Sequence, residues 1–344
     1  MYCCSACFKN NEVQTNIVSI SQFKGDCNYC GATNLQVIDA REIVEFFQPV
    51  INLYEVSDIG DKLLPEILQT EWEIFNINTQ TATKLLKDMF AEVKSVNPDI
   101  FNLPVINKTH NHIITEGLIK QWDELKVEIV KKNRFFLENV IDLDSLEKYL
   151  NDKSKTYKTG ELFYRGRRSR KEGYPLTELG KPPVEKSTAG RANPQGIPYL
   201  YLSTDEKTTL YEARASYFDY VTIGTFRLQH EIKIVKLRTV EIFSPFEEEI
   251  FNKLVYQPFL QSLERDLSKP LRRFDSDLDY LPTQYLCEFI KHIGFDGVEY
   301  GSAMNRSGVN LAIFDDAKFE CFECKIVEVK NIEIEFHEVN LITL

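Results

Sequence analysis

The hydrophobic rhythm of this chain changes once, across the polar stretch "NDKSKTYKTG" at 151–160, so two kinds of architecture must follow one another. Before it, apolar residues recur every three or four positions, as in "DAREIVEFFQPVINLYE", "TATKLLKDMFAEVKS", "IITEGLIKQWDELKVEIVKKNRFF" and "DLDSLEKYLND". That spacing predicts helices with one buried face. After it come short β-rich runs: "ELFYRGR", "PYLYLST", "YVTIGTFRL", "EIKIVKLR", "GFDGVEYGS", "NLAIFD" and "CKIVEVKNIEIEF". Helical stretches lie between them, "DEKTTLYEARASYF" and "TQYLCEFIKHIG" being the clearest. The expectation is an α+β chain with an all-helical block over 36–153 and a mixed α/β domain over 160–335. A length of 344 residues suits more than one domain.

Five of the eight cysteines fall in the first thirty residues. Cys4-x2-Cys7 and Cys27-x2-Cys30 form two knuckle-like pairs, and Gly31 lets the second turn tightly. Four thiolates at this spacing suit a tetrahedral zinc ion, and four protein ligands leave no open position, so the role is structural. Residues 1–35 are accordingly expected to be a small zinc-ribbon-like unit of short strands. Cys321-x2-Cys324 has no second pair nearby and reads as two half-buried strand residues.

Charge narrows the partners. With 41 basic and 52 acidic side chains the net charge is -11, a field that repels phosphate backbones, so no nucleic-acid partner is expected. No apolar run approaches the roughly 20 residues that span a membrane, and the start of the chain lacks a basic-plus-apolar signal pattern. A cytoplasmic protein without membrane contact is the expectation. Any anionic ligand must be held by a local group of arginines.

Such a group is present in the later half. "LFYRGRRSR" puts Arg165 and Arg167 at the end of a strand, separated by Gly166. "AGRANPQGIP" places Arg191 in a loop, because Asn193 precedes a proline. Planar guanidinium forks can bind a diphosphate through paired, charge-assisted hydrogen bonds. Tyr201 follows on the next strand, Glu212 on the helix after it, and Ser302 in a glycine-rich loop beyond a later strand. Taken singly, each of these has an ordinary structural role open to it. Together they offer a clamp, an aromatic ring, a carboxylate and a hydroxyl, all at the ends of elements.

Arg in "GRANPQGIP", Tyr in "LYLS", Glu eleven residues later and the ending "TQYL…GFDGVEYGS…GVNLAIF" resemble the RES domain, named for its Arg, Glu and Ser. The resemblance covers about 160–335. It implies a fold similar to ADP-ribosyltransferases, NAD+ as substrate, and the toxin half of a bacterial toxin–antitoxin pair. The implied site is Arg165 or Arg167, with Arg191, Tyr201, Glu212 and Ser302: arginines and Ser302 to bind the dinucleotide, Tyr201 to stack on or orient it, Glu212 to assist cleavage. Some members of that family hydrolyse or phosphorolyse the nicotinamide–ribose bond, and others transfer ADP-ribose to a protein. A nucleotide-sensing module without catalysis is the remaining class, against which the full residue set argues. The ribbon and helical block resemble the HEPN-like extension of some RES proteins, without the Arg-x4–6-His spacing of HEPN ribonucleases. The partners implied are NAD+ and an antitoxin or immunity protein, and a homodimer is compatible with the sequence.

Overall fold

The structure, a computed structural model, describes residues 1–110, 112–138, 141–238, 243–269 and 276–333. The chain divides into two compact units, Met1–Glu116 with Ile242–Tyr256, and Gly117–Glu241 with Gln257–Leu344. Among the described residues, no helix is long and apolar enough to cross a membrane.

In the first unit, β1 (Tyr2–Cys4), β2 (Phe23–Gly25) and β3 (Leu35–Asp39) form an antiparallel sheet in the order β1-β3-β2. Helix α1 (Asn11–Ile20) stands between the first two strands in sequence, where only short strands were expected. It starts at Asn10, whose Oδ1 accepts from the N–H groups of Glu12 and Val13 at 2.9 and 3.3 Å. Its buried stripe is only Val13 and Ile17, too thin to stand out from its polar neighbours as a period.

Helices α2 (Val44–Ile51), α3 (Leu64–Thr70) and α4 (Thr79–Phe90) follow the expected pattern. The stretch is not wholly helical, however. Strands β4 (Tyr54–Val56), β5 (Lys62–Leu63) and β6 (Pro104–Asn107) make a second small sheet, ordered β4-β6-β5. Strands of two to four residues carry too few positions to declare a period of two. The unit's core gathers phenylalanines from distant segments. Phe8 lies 5.9 Å from Phe47 and 5.5 Å from Phe75 between ring centroids, and Phe46 stacks on Phe246 at 4.4 Å.

Helix α5 (Ile113–Lys131) precedes the second unit's other elements: α6 (Leu143–Asp152), β7 (Ser154–Tyr157), β8 (Leu162–Ser169), β9 (Leu200–Ser203), α7 (Glu206–Glu212), β10 (Tyr220–Leu228) and β11 (Ile232–Lys236). Then come α8 (Ile250–Ser268), whose residues up to Tyr256 belong to the first unit, α9 (Leu281–His292), β12 (Gly297–Gly301), β13 (Val309–Ile313) and β14 (Phe319–Glu328). Helix α8 was not anticipated; Pro258 lies inside it, as Pro49 lies inside α2. The strands form one sheet in the order β14-β10-β8-β9-β13-β12-β11-β7, with β11 and β12 parallel and the other neighbours antiparallel. Phe163, Leu200, Leu202, Phe226, Ile234, Leu311 and Ile313 are buried together on it.

The middle of this sheet is its thinnest join. β8 pairs with β10 from Leu162 to Ser169, but meets β9 at a single pair, Tyr164 and Ser203. Away from that pair the facing edges of β8 and β9 diverge. At the outer edge a bulge between Thr225 and Phe226 sets Cys324 opposite Gly224 and Cys321 opposite Phe226. Both cysteines are half-buried strand residues, as their sequence setting suggested.

Candidate functional site

A cavity of about 300 Å³ opens where β8 and β9 part, lined by residues of β8, the 190–191 loop, β9, α7, β12 and β13. Arg165, Arg191, Tyr201 and Glu212 all reach it.

Arg165 projects from β8 with its Nη1 buried, and that atom has no hydrogen-bond partner among the described residues. Burial, and secondly the charge of Arg167, pushes its guanidinium down to about 10, so it stays cationic at neutral pH. A buried cation left without a partner is costly to the apo-protein. It is what a site built for an anion would contain. Arg167 turns elsewhere. Its Nη1 donates to the carbonyl oxygen of Glu178, and its guanidinium lies 4.5 Å from the Tyr174 ring centroid. Gly166 between them is required by close approach. A Cβ there would meet Thr209 of α7 at 2.9 Å from Oγ1 and 3.0 Å from its carbonyl oxygen.

The arginine loop is held from several sides. The Gly190 N–H donates to the Asn193 carbonyl at 2.9 Å. The Tyr201 hydroxyl donates to Asn193 Oδ1 at 2.8 Å and accepts from the Ala192 N–H at 3.2 Å. From the first turn of α9, Thr283 Oγ1 donates to the Arg191 carbonyl at 2.6 Å and Gln284 Nε2 to that of Gly190 at 2.8 Å. Thr283 and Gln284, the "TQ" of the sequence motif, therefore anchor the loop's backbone from a segment ninety residues away in sequence. No hydrogen bond or ion pair to the Arg191 guanidinium is found among the described residues. Burial raises the phenols of Tyr201 and Tyr300, so both remain protonated at neutral pH.

Glu212 is the last residue of α7 rather than a member of a long helix. The helix ends in a Schellman motif: the Arg214 N–H donates to the Tyr211 carbonyl at 2.9 Å and the Ala215 N–H to that of Leu210 at 3.2 Å. Arg214 takes the left-handed position at φ 49° and lines the cavity. Glu212 Oε1 accepts from Ser302 Oγ at 2.6 Å and from Asn310 Nδ2 at 2.7 Å. Ser302 Oγ also accepts from the N–H groups of Met304 and Asn305, each at 3.2 Å. Ser302 thus touches the carboxylate, although it does not itself line the cavity. Sequence reasoning missed Asn310, which sits inside the quoted "NLAIF" motif. A polar residue within an otherwise apolar strand was the available signal.

In the first unit, the sulfur atoms of Cys4, Cys7, Cys27 and Cys30 all lie within 4.8 Å of one another. Cys4 and Cys30 are 3.5 Å apart, Cys7 and Cys27 3.4 Å, and none is in a disulfide. Sulfurs around a tetrahedral zinc with bonds of about 2.3 Å stand roughly 3.8 Å apart, so the set fits that ion. The Tyr29 N–H points at Cys27 Sγ at 3.5 Å, and Gly31 turns the chain after Cys30 at φ 75°. Cys3, fully buried nearby, is outside the set, and burial pushes its thiol up to about 12.

The family profile described as "RES domain" matches residues 163–337. A search of curated proteins gives no match. Among solved structures, one chain of the crystal structure of the M. tuberculosis MbcT–MbcA toxin–antitoxin complex is similar. It is 15% identical, with a TM-score of 0.34, over 54% of this chain and 93% of that one.

Proposed function

The chain belongs to the RES domain family, and from that premise we propose that its second unit cleaves the nicotinamide–ribose bond of NAD+, with water or phosphate as acceptor. The observation that carries this reading is the cavity at the β8–β9 divide, which joins the unpartnered buried cation Arg165 and the loop cation Arg191 to the carboxylate Glu212. Arg165 and Arg191 would bind the diphosphate. Tyr201 serves the reading by fixing the Arg191 loop from the cavity wall. Bond breaking leaves an oxocarbenium-like ribose and a neutral nicotinamide, so no general acid is needed. The need is for negative charge beside the ribose, which Glu212 supplies. Ser302 holds that carboxylate in place. The toxin role, a cytoplasmic setting and an antitoxin that blocks the cavity are part of the same reading. In the first unit, Cys4, Cys7, Cys27 and Cys30 would hold a structural zinc ion.

The test is incubation of the full chain with NAD+ and identification of products. Free nicotinamide with ADP-ribose, or with its 1-phosphate, is expected. ADP-ribose attached to added proteins would instead assign the chemistry to transfer, and no loss of NAD+ would remove the reading. A graded result is expected at Arg191. Arg191→Ala should weaken NAD+ binding as well as turnover, because the diphosphate contact exists in ground and transition states alike. Arg191→Lys should recover little, since a point charge cannot replace a planar fork. Calorimetry beside nicotinamide release checks both, and full rescue by lysine would remove the fork from the account.

A further inference from the structure

Glu212 has a second support besides Ser302, and it reaches back to the join of the sheet. Asn310 and Ser203 are register partners on β13 and β9, and both are buried. Ser203 is also the residue at which β9 meets β8, opposite Tyr164. Asn310 Nδ2 is 2.7 Å from Glu212 Oε1, and Ser203 Oγ is 2.8 Å from Asn310 Oδ1. An ionised carboxylate can only accept, so the amide must turn its N–H toward Glu212. Its oxygen then faces Ser203, whose hydroxyl must donate. One charge thereby fixes the direction of every bond in the chain.

We infer that Asn310, oriented by Ser203, is a positioning residue for Glu212, a role that rests on the cleavage reading above. It holds the carboxylate on the cavity wall by a donor that carries no charge of its own. Besides Glu212, the charged and titratable groups that line the cavity among the described residues are Tyr164 and Arg165 on β8, Arg191 in its loop, Arg214 after α7, Tyr201 on β9 and Tyr300 on β12. None of them is a second carboxylate. The site therefore keeps its negative charge on one residue, and an amide rather than an acid at 310 preserves that.

The discriminating variant is Asn310→Asp, nearly the same shape with an acceptor and a second negative charge in place of the donor. Two carboxylates this close share a proton, so ionisation of the pair is delayed. The acid limb of the kcat profile should move to higher pH by about one unit or more. Asn310→Ala should lower kcat about tenfold or more with KM little changed, because it loosens the carboxylate and not the diphosphate anchors. Ser203→Ala should slow the wild-type background and add nothing in the Asn310→Ala background, since it acts only through the amide. A second readout does not depend on turnover. The Glu212 carboxyl 13C resonance, assigned by its loss in Glu212→Gln, should titrate at higher pH in Asn310→Asp than in the wild type. Superimposed titrations, or an additive Ser203→Ala effect, would overturn the inference. A wild-type chain that leaves NAD+ untouched while its resonance shifts as expected would remove the cleavage reading and keep the positioning role.

Discussion

Glu212→Gln is expected to lower nicotinamide release by about 10²- to 10³-fold while NAD+ binding changes only severalfold. The size follows from what one well-placed electrostatic group contributes to a transition state. The split between rate and binding follows from when the charge is needed. Ground-state NAD+ already carries its positive charge on the pyridinium ring, whereas positive charge on the ribose develops only as the bond breaks. Gln is the informative substitute because its amide oxygen can still accept from Ser302 and Asn310, which hold Oε1 at 2.6 and 2.7 Å. The fold and the cavity wall should therefore survive, and an unchanged melting temperature would document that. The measurement pairs nicotinamide release with calorimetric NAD+ binding on the full chain. Release at the wild-type rate would end the assignment of Glu212, whatever the family membership implies. On the toxin role proposed above, the same variant should lose toxicity on expression in bacteria.

The second large effect is expected in the first unit. The full chain should carry about one zinc ion, and Cys27→Ser should abolish it. The four sulfurs converge from two segments, β1 with its following turn and the 27–30 knuckle, and few other ties join those segments. The Asn28 N–H donates to the Tyr2 carbonyl at 2.9 Å and the Tyr2 N–H to Asn28 Oδ1 at 2.7 Å. Ion binding at structural four-ligand sites is worth about 10–16 kcal/mol in small peptides, far more than two hydrogen bonds. Loss of one thiolate should thus raise amide hydrogen exchange across residues 1–39 by several orders of magnitude. Elemental analysis and exchange measurements check both parts. Metal-free protein from a chelator-free preparation would remove zinc from the account, and unchanged exchange in Cys27→Ser would make the site dispensable to the fold.

Residues whose meaning is local were legible in the sequence. The two Cys-x2-Cys pairs foretold a converging thiol set because each pair is closed by its own turn. The alternating runs after residue 160 foretold strands because side-chain period is a property of the strand itself. Short elements were not legible. β4, β5 and β6 have two to four residues each, and α1 buries only Val13 and Ile17, so their identity comes from packing rather than pattern. Helix α8 was not picked out either; like α2, which runs through Pro49, it carries an internal proline, Pro258, that its surroundings accommodate.

The same division runs through the site. By itself the sequence determined which residue types were available and which segments carried them: Arg165 on a strand, though inside β8 rather than at its end, Arg191 in a loop, Tyr201 on the next strand, Glu212 on the helix after it and Ser302 beyond a later strand. Only the tertiary structure decided which of them meet. Arg165 and Arg167 are equivalent by spacing, yet burial left Nη1 of Arg165 unpaired at the cavity, while Tyr174 and the Glu178 carbonyl drew Arg167 away. Tyr201 looked like a ring for stacking, and its hydroxyl is engaged with the backbone and Asn193 of the arginine loop. Asn310 carried only the weak signal of a polar residue in an apolar strand, because its partners Ser203 and Glu212 lie about a hundred residues earlier, and the β9–β13 register and the end of α7 bring them within 2.8 Å. Local periodicity records how a segment folds. Contacts at long sequence separation are set by which strands pair and where a sheet divides, and that information resides in the whole core.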